Sequence, residues 1–348
     1  VTDGHTVEVV VGRPVADDVR DQVLRLWATH GALSGEAAVA RLGELAGFVV
    51  DRAGIVVGTC SAVQADVRLL GGRRFWAYRS FFSDGVPAEV EAELFCATFD
   101  ALAAGHVPGG PGPVGVVVPI ADVALMRARP EARWPTTKLR YAGYFPDGQQ
   151  ARIRYFPGAL IGTEPASERR VELPADWQEW ARFPDGFALL ELAATDAVTA
   201  DDVLGLWARE GAVAPEEAER RIDEVVTVVT APDGTLAGIG SAYVRRVPQL
   251  RMDLFGIRLF VATEHRRSSL ATHIMWRTRD VMTERFADGR DRRAVGILYE
   301  VENPGLRRML PQAEGPYAPT YFIGERPDGA TLLVQLFPGI DVPLPDRA

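Results

Sequence analysis

Residues 21–62 read DQVLRLWATHGALSGEAAVARLGELAGFVVDRAGIVVGTCSA, and residues 201–242 read DDVLGLWAREGAVAPEEAERRIDEVVTVVTAPDGTLAGIGSA. At an offset of 180 the two stretches match without a gap at seventeen of forty-two positions. Leu26, Trp27 and Ala28 fall over Leu206, Trp207 and Ala208, and Gly31, Glu36, Arg41, Gly58 and Ser61 over Gly211, Glu216, Arg221, Gly238 and Ser241. The match returns near the ends, where Tyr155-Phe156-Pro157-Gly158 lies over Leu336-Phe337-Pro338-Gly339. A repeat this long is a domain rather than a solenoid unit. The chain is therefore a duplicated fold, and each copy is a control for the other.

Length and composition agree with two domains. At 348 residues the chain exceeds what one core usually serves. Its 47% hydrophobic and 24% charged residues are those of an ordinary globular protein. A net charge of -9 argues against nonspecific binding to nucleic acid or anionic membrane. The two cysteines, Cys60 and Cys96, have no metal-ligand spacing and sit in apolar surroundings, which reads as free thiols in a reducing cytoplasm. No run reaches the roughly 18 apolar residues of a membrane span, and the first residues carry no basic-then-apolar signal.

Each copy opens on a short apolar strand (7–11 and 187–192), followed by a helix ending near Trp27 or Trp207 and a second helix at Ser34-Gly35-Glu36 or Pro215-Glu216-Glu217. Proline in the first turn, with acidic residues behind it, suits a helix start. Hairpins follow around Arg52-Ala53-Gly54 and Pro232-Asp233-Gly234. Then come a strand (75–82, 254–262), a helix, a buried strand (114–118, 295–299), a last helix and two closing strands. The expected order, twice over, is β-α-α-β-β-β-α-β-α-β-β, an α/β mixed sheet. The expected layout is an N-terminal domain over 1–160, a Pro-, Glu- and Arg-rich connector over 161–185, and a C-terminal domain over 186–348.

One stretch of the second copy differs from scaffold: Phe260-Val261-Ala262-Thr263-Glu264-His265-Arg266-Arg267-Ser268-Ser269-Leu270-Ala271-Thr272. An apolar strand runs into two arginines, two serines and small residues, then into a helix. Small residues let a backbone approach a ligand, a helix N-terminus offers amide N–H groups to an anion, and arginines add charge-assisted donors. A solvated basic helix cap reads the same residues without a ligand.

In this stretch and its place in the element order the chain resembles the GNAT N-acetyltransferase superfamily. That family's Arg/Gln-x-x-Gly-x-Gly/Ala loop, between fourth strand and third helix, falls on Arg266 to Ala271, with Ser269 where glycine is usual. Glu302-Asn303-Pro304-Gly305-Leu306 resembles the Asn-x-x-Ala stretch after the fifth strand. The resemblance implies two tandem GNAT-like domains, a layout like that of the mycothiol synthases. It further implies an acetyl-CoA or other acyl-CoA site between splayed fourth and fifth strands. Phe260 and Val261 main chain would meet the pantetheine, Arg266, Arg267, Ser268, Ser269, Leu270, Ala271 and Thr272 the pyrophosphate, and Asn303 the pantetheine arm.

The first copy departs from that pattern. Counted from Arg79 over Arg258, its loop positions read Pro87-Ala88-Glu89-Val90-Glu91-Ala92, without arginine and with two carboxylates that would repel phosphate. Asp122 stands at the Asn303 position.

Acyl transfer to an amine needs a base for the amine and an acid for the departing thiolate. The family's acid, a tyrosine seven residues after the Asn, is replaced by Leu310, and Tyr317 or Tyr321 can substitute. Candidate bases are Asp253 at the start of the fourth strand, and Glu300 and Glu302 at the end of the fifth. Glu264 and His265 lie at the strand-to-loop junction. Asp253 also reads as a surface ion pair with a neighbouring arginine, Glu300 and Glu302 as solvent-facing, His265 as a loop residue and His273 as packing. The expected activity is acyl-CoA-dependent N-acyltransfer, acetyl foremost, to an amine of a small molecule, in the C-terminal copy of a cytoplasmic protein. Two alternatives remain at this level. One is a GNAT-fold enzyme of a specialised biosynthetic pathway with other chemistry or an acyl carrier protein as donor. The other is a non-catalytic binding protein.

Overall fold

The computed structural model describes residues 4–161, 182–266, 269–302, 307, 312–315 and 319–345. Contacts divide the chain into two compact units. One is Val1–Arg169 with Leu310–Glu325 and Asp341–Ala348; the other is Arg170–Met309 with Arg326–Ile340.

The first copy contains β1 (Thr6–Val9), α1 (Asp17–Thr29), α2 (Gly35–Leu42), β2 (Leu45–Val50), β3 (Val56–Val67) and β4 (Arg73–Phe82). After these come α3 (Ala88–Ala104), β5 (Gly115–Ile120), α4 (Val123–Ala128), β6 (Arg140–Tyr144) and β7 (Gln150–Tyr155). The second copy has β8 (Ala188–Glu191), α5 (Ala200–Glu210), α6 (Pro215–Arg221), β9 (Val225–Thr230), β10 (Leu236–Val247) and β11 (Met252–Val261). It continues with α7 (Leu270–Ala287), β12 (Gly296–Val301), β13 (Tyr321–Glu325) and β14 (Thr331–Leu336). The helix expected after β12 falls on 303–311, of which only Arg307 is described.

The two seven-stranded sheets have one order, β1-β2-β3-β4-β5-β7-β6 and β8-β9-β10-β11-β12-β14-β13. Each contains one parallel pair among its described ladders, β4 with β5 and β11 with β12. The duplicated α/β mixed sheet expected from the sequence is what the chain forms.

The helix starts differ between the copies and the helix ends repeat: α1 has no side-chain cap at its start. Asp202 and Thr199 form a reciprocal capping box at the start of α5. Gly31 and Gly211, at φ 65° and 60°, follow α1 and α5 in the left-handed conformation, which explains their recurrence. Their neighbours Ala32 and Ala212 donate back to the carbonyls of Trp27 and Trp207.

Each sheet buries both faces. One face packs on the first two helices: Trp27, Leu26, Val23, Leu42 and Phe48 in the first copy, Trp207, Leu206, Val203, Val228 and Ile239 in the second. The other face packs on the long helix, α3 or α7. Val90, Leu94, Thr98 and Leu102 of α3 match Leu270, Ile274, Thr278 and Met282 of α7, all buried and four apart on one stripe. This fixes the helix offset at 180, whereas the strand ladder Gly58↔Phe82 and Gly238↔Val261 fixes it at 179. The strand-to-helix connection is therefore one residue longer in the second copy. In the helix register Ser269 lies over Glu89 and Ala271 over Glu91, one position from the alignment that the strands alone imply.

Within the first unit two buried tyrosines bond to backbone. Tyr155 donates to the Phe322 carbonyl and Tyr321 to the Tyr141 carbonyl, both at 2.8 Å. Burial pushes both hydroxyls well above the ordinary tyrosine range.

Candidate active site in the second copy

β11 and β12 are paired over two rungs only, Phe255↔Ile297 and Gly256↔Leu298. Beyond them β11 runs on to Val261 and β12 to Val301, unpaired with each other. The amide of Ala262 donates to Ala237 beside β10, and the carbonyl of Asp253 accepts from Val295 beside β12. Main-chain groups alternate in direction along a strand, so those of Ile257, Leu259 and Val261 face the gap. The result is an opening lined on one side by backbone donors and acceptors. The first copy diverges in the same way after Ala77↔Val117.

At the wide end lies the basic stretch. The side chain of Arg266 folds back on β11: its Nε donates to the Val261 carbonyl at 3.1 Å, and its guanidinium lies 5.7 Å from the Phe260 ring centroid. Its Nη2 is 4.0 Å from Glu210, the last residue of α5. Glu210 accepts from the Thr263 hydroxyl and amide, at 2.6 and 3.2 Å. Those Thr263 bonds, with the nearby arginines, hold its carboxyl below the usual range. Phe260 packs on the α5 side of the sheet and Val261 on the α7 side.

Ser269 precedes α7, and its hydroxyl donates to the Arg182 carbonyl at 2.7 Å. It is 5% exposed, so its side chain is turned into the protein. Leu270 is in the core, Ala271 is exposed and Thr272 half-buried. Arg267, Ser268, Asn303 and Tyr317 lie outside the described residues. His265 meets the Phe187 ring edge-on, and His273 lies between Phe183 and Trp276.

The candidate carboxylates part company. Asp253 precedes the parallel pair, at the end of β11 away from the opening, and pairs with Arg246 at 3.3 Å. The equivalent rung of the first copy holds Asp66 and Arg74 at 3.0 Å, the same ion pair with the charges exchanged. Asp253 is placed as an ordinary cross-strand partner. Glu300 lies beyond the pair, on the sheet face shared with Tyr243, Gly256 and Arg258. Its side chain is 12% exposed and accepts from Arg245, from Arg326 at 3.1 Å and from the Tyr243 hydroxyl at 3.4 Å. Glu302 is 70% exposed and meets Arg326 at 3.2 Å.

Sequence reading missed the residues that surround Glu300. Tyr243 crosses β11 above Gly256, where a Cβ would stand 2.5 Å from the tyrosine Cζ. The Arg258 guanidinium stacks 3.6 Å from the ring centroid and binds Glu224 at 2.6 Å. Tyr299 lies on the opposite face of β12, where burial pushes its hydroxyl up against the pull of Arg279. The available signal was the duplication itself, because Tyr243 and Gly256 fall on Val63 and Ala77 of the first copy, whereas Arg258 falls on Arg79.

The same region of the first copy is acidic. Pro87 precedes α3, and Glu89 and Glu91 occupy its first turn. Partial burial raises the Glu91 carboxyl, with Arg129 opposing. Asp122 accepts from the amides of Ala124 and Leu125 at 2.8 and 3.2 Å and so caps α4.

No protein-family model matches the chain, and no curated protein does. Among solved structures it is similar to the acetyltransferase of GNAT family from Streptococcus pneumoniae, with 12% identity and a TM-score of 0.29 over 43% of this chain and 99% of that one. It is similar to a GNAT family N-acetyltransferase from Escherichia coli in complex with CoA, with 18% identity and a TM-score of 0.26 over 44% of this chain and 82% of that one. It is also similar to Eis1 from Mycobacterium abscessus, with 12% identity and a TM-score of 0.26 over 78% of this chain and 62% of that one.

Proposed function

We propose that the second copy is an acyl-CoA-dependent N-acyltransferase of the GNAT type, transferring an acetyl group to an amine of a small molecule. The observation that carries this reading is the two-rung pairing of β11 and β12. It opens a gap into which the main chain of Ile257, Leu259 and Val261 points, beside the N-terminus of an eighteen-residue helix and Arg266. An extended amide-bearing arm fits such a gap as an added strand would, and a pyrophosphate suits the helix start. Arg266, with Arg267 and Ser268, would hold the phosphates alongside Leu270, Ala271 and Thr272. Asn303 would face the arm.

For transfer, the amine must give up a proton before attacking the thioester carbon, and the departing sulfur must gain one. Glu302, just past the end of β12 and more open than Glu300, suits the base through water. Tyr317, a little downstream of the Leu310 that stands at the family's acid position, is the candidate acid. Glu300, shared between two guanidiniums, holds its surroundings in place.

A second reading has its own observation. Arg266 is engaged by the Val261 carbonyl and lies near Glu210, and a donor without a pyrophosphate, such as an acyl carrier protein, would not need to draw its guanidinium away. Thiol release from acetyl-CoA in the presence of a panel of primary amines tests the proposal. Amine-dependent release supports it. Binding of acetyl-CoA without release from any amine would favour a binding protein, and no binding would favour the carrier-protein donor.

A further inference from the structure

Much of the polar cluster above the strand divergence exists in one copy only, although Arg258 and its partner Glu224 fall on Arg79 and Glu44. By ladder register, Tyr243, Arg245, Gly256, Glu300 and Arg326 fall on Val63, Ala65, Ala77, Pro119 and Phe145. Both copies fold, so the sheet does not require these groups. Nor does burying them strengthen it much, because the cost of drying a carboxylate and its guanidiniums offsets most of their attraction. Glycine at 256 is the enabling change. It lets the phenol ring cross β11 and bring its hydroxyl to Glu300 on β12.

Along the β10–β11 ladder, Arg258 (opposite Ser241) and Arg245 (opposite Leu254) flank the Tyr243–Gly256 rung on the same face. A guanidinium carries five N–H donors. Glu224 engages Arg258 through Nη1 and Glu300 engages Arg245 through Nη1, while the two side chains stay 36% and 37% exposed. Both arginines thus keep donors for another acceptor, at a fixed spacing set by the tyrosine between them. An incoming ammonium would instead find Glu300 already shared between Arg245 and Arg326.

We infer that this cluster selects the acceptor, and that the acceptor is an amine that also carries an oxyanion, a carboxylate or a phosphate, bound by Arg258 and Arg245. Glu300 is a positioning residue that holds Arg245 and Arg326. The inference rests on the acyltransferase reading, because it takes the adjacent gap to be where the amine reacts.

Matched amines test it: L-lysine against cadaverine, L-phenylalanine against phenethylamine, and O-phosphoethanolamine against ethanolamine, each with acetyl-CoA. The protein should turn over the anionic member of at least one pair with kcat/KM about tenfold or more above its partner, as one charge-assisted contact implies. The pairs showing it separate carboxylate from phosphate. Arg258→Gln and Arg245→Gln should each collapse that ratio with the KM for acetyl-CoA unchanged. Arg258 pairs with the more open Glu224 and not with the buried Glu300, so its variant reports even if Arg245→Gln unfolds. Arg79→Gln in the first copy should alter nothing. Equal rates within every pair, a preference for the uncharged member, or a ratio that survives both substitutions would overturn the inference. So would acetyl-CoA binding with no turnover of any of the six amines. Failure of acetyl-CoA to bind at all would instead remove the acyltransferase reading on which the inference stands.

Discussion

Arg246 and Asp253 occupy the same rung as Asp66 and Arg74, with the charges in opposite order. What the two sheets share there is the pairing of opposite charges, which marks Asp253 as scaffold. Exposed cross-strand pairs are worth about 0.2–1 kcal/mol. Asp253→Arg alone should therefore lower stability by an amount in that range, and Arg246→Asp with Asp253→Arg should restore it, read from urea denaturation. A loss of activity beyond tenfold in Asp253→Asn, with stability unchanged, would give Asp253 a chemical role instead. A second exchange lies under the long helices. Gly47 stands opposite Cys60, and Thr227 opposite Gly240. The bulk has moved across the rung, and Thr227 now bonds Thr278 at 2.7 Å. A Cβ at Gly240 would meet Thr278 Oγ1 at 2.2 Å and Thr227 Oγ1 at 2.5 Å. Gly240→Cys should thus cost about 1–3 kcal/mol as overpacking. Combined with Thr227→Gly, it should cost less than the sum of the two single changes by about 0.5 kcal/mol or more. Strict additivity in thermal melts would show that the two positions do not share one space.

At the level of elements, most of the scaffold was legible. Hairpins at Asp233-Gly234 and Ala53-Gly54, the helix start at Pro215 and the two closing strands follow from local chemistry that acts within a few residues. The cluster around Glu300 was not legible. Alternation shows that Glu300 and Glu302 share a face, but not that Tyr243, on a strand two places away, reaches across a glycine to meet one of them. Ser269 shows a related limit. Its place in the loop suggested a side chain beside phosphate, whereas the structure turns its hydroxyl to the Arg182 carbonyl, a partner 87 residues earlier. Ser269→Gly should therefore lower stability by about 1 kcal/mol, the net worth of one hydrogen bond, and leave CoA affinity within about twofold. A large gain in affinity would mean that the side chain does obstruct the ligand. Arg266→Ala, by contrast, should weaken CoA binding about tenfold, the loss of one charge-assisted contact. Unchanged affinity in a calorimetric titration would take Arg266 out of the phosphate site.

At the scale of the whole molecule, the duplication turns a weak motif into a comparison. Both sheets diverge after two parallel rungs, and both divergences sit beside the N-terminus of a long helix. The geometry is therefore common to the copies, and the chemistry is what separates them. The first copy has Pro87, Glu89 and Glu91 at its helix start, where the second has Arg266 just before and no carboxylate in the first turn. Carboxylates there repel a pyrophosphate that a helix start and an arginine attract. The account thus makes one copy a donor site and the other its scaffold-matched counterpart. The most direct test is calorimetric titration of acetyl-CoA into the 348-residue chain and into Arg266→Ala. One site per chain, weakened about tenfold by the substitution, is the predicted result. Two equivalent sites, or one site indifferent to Arg266 and abolished by changes at Glu89 and Glu91, would contradict it.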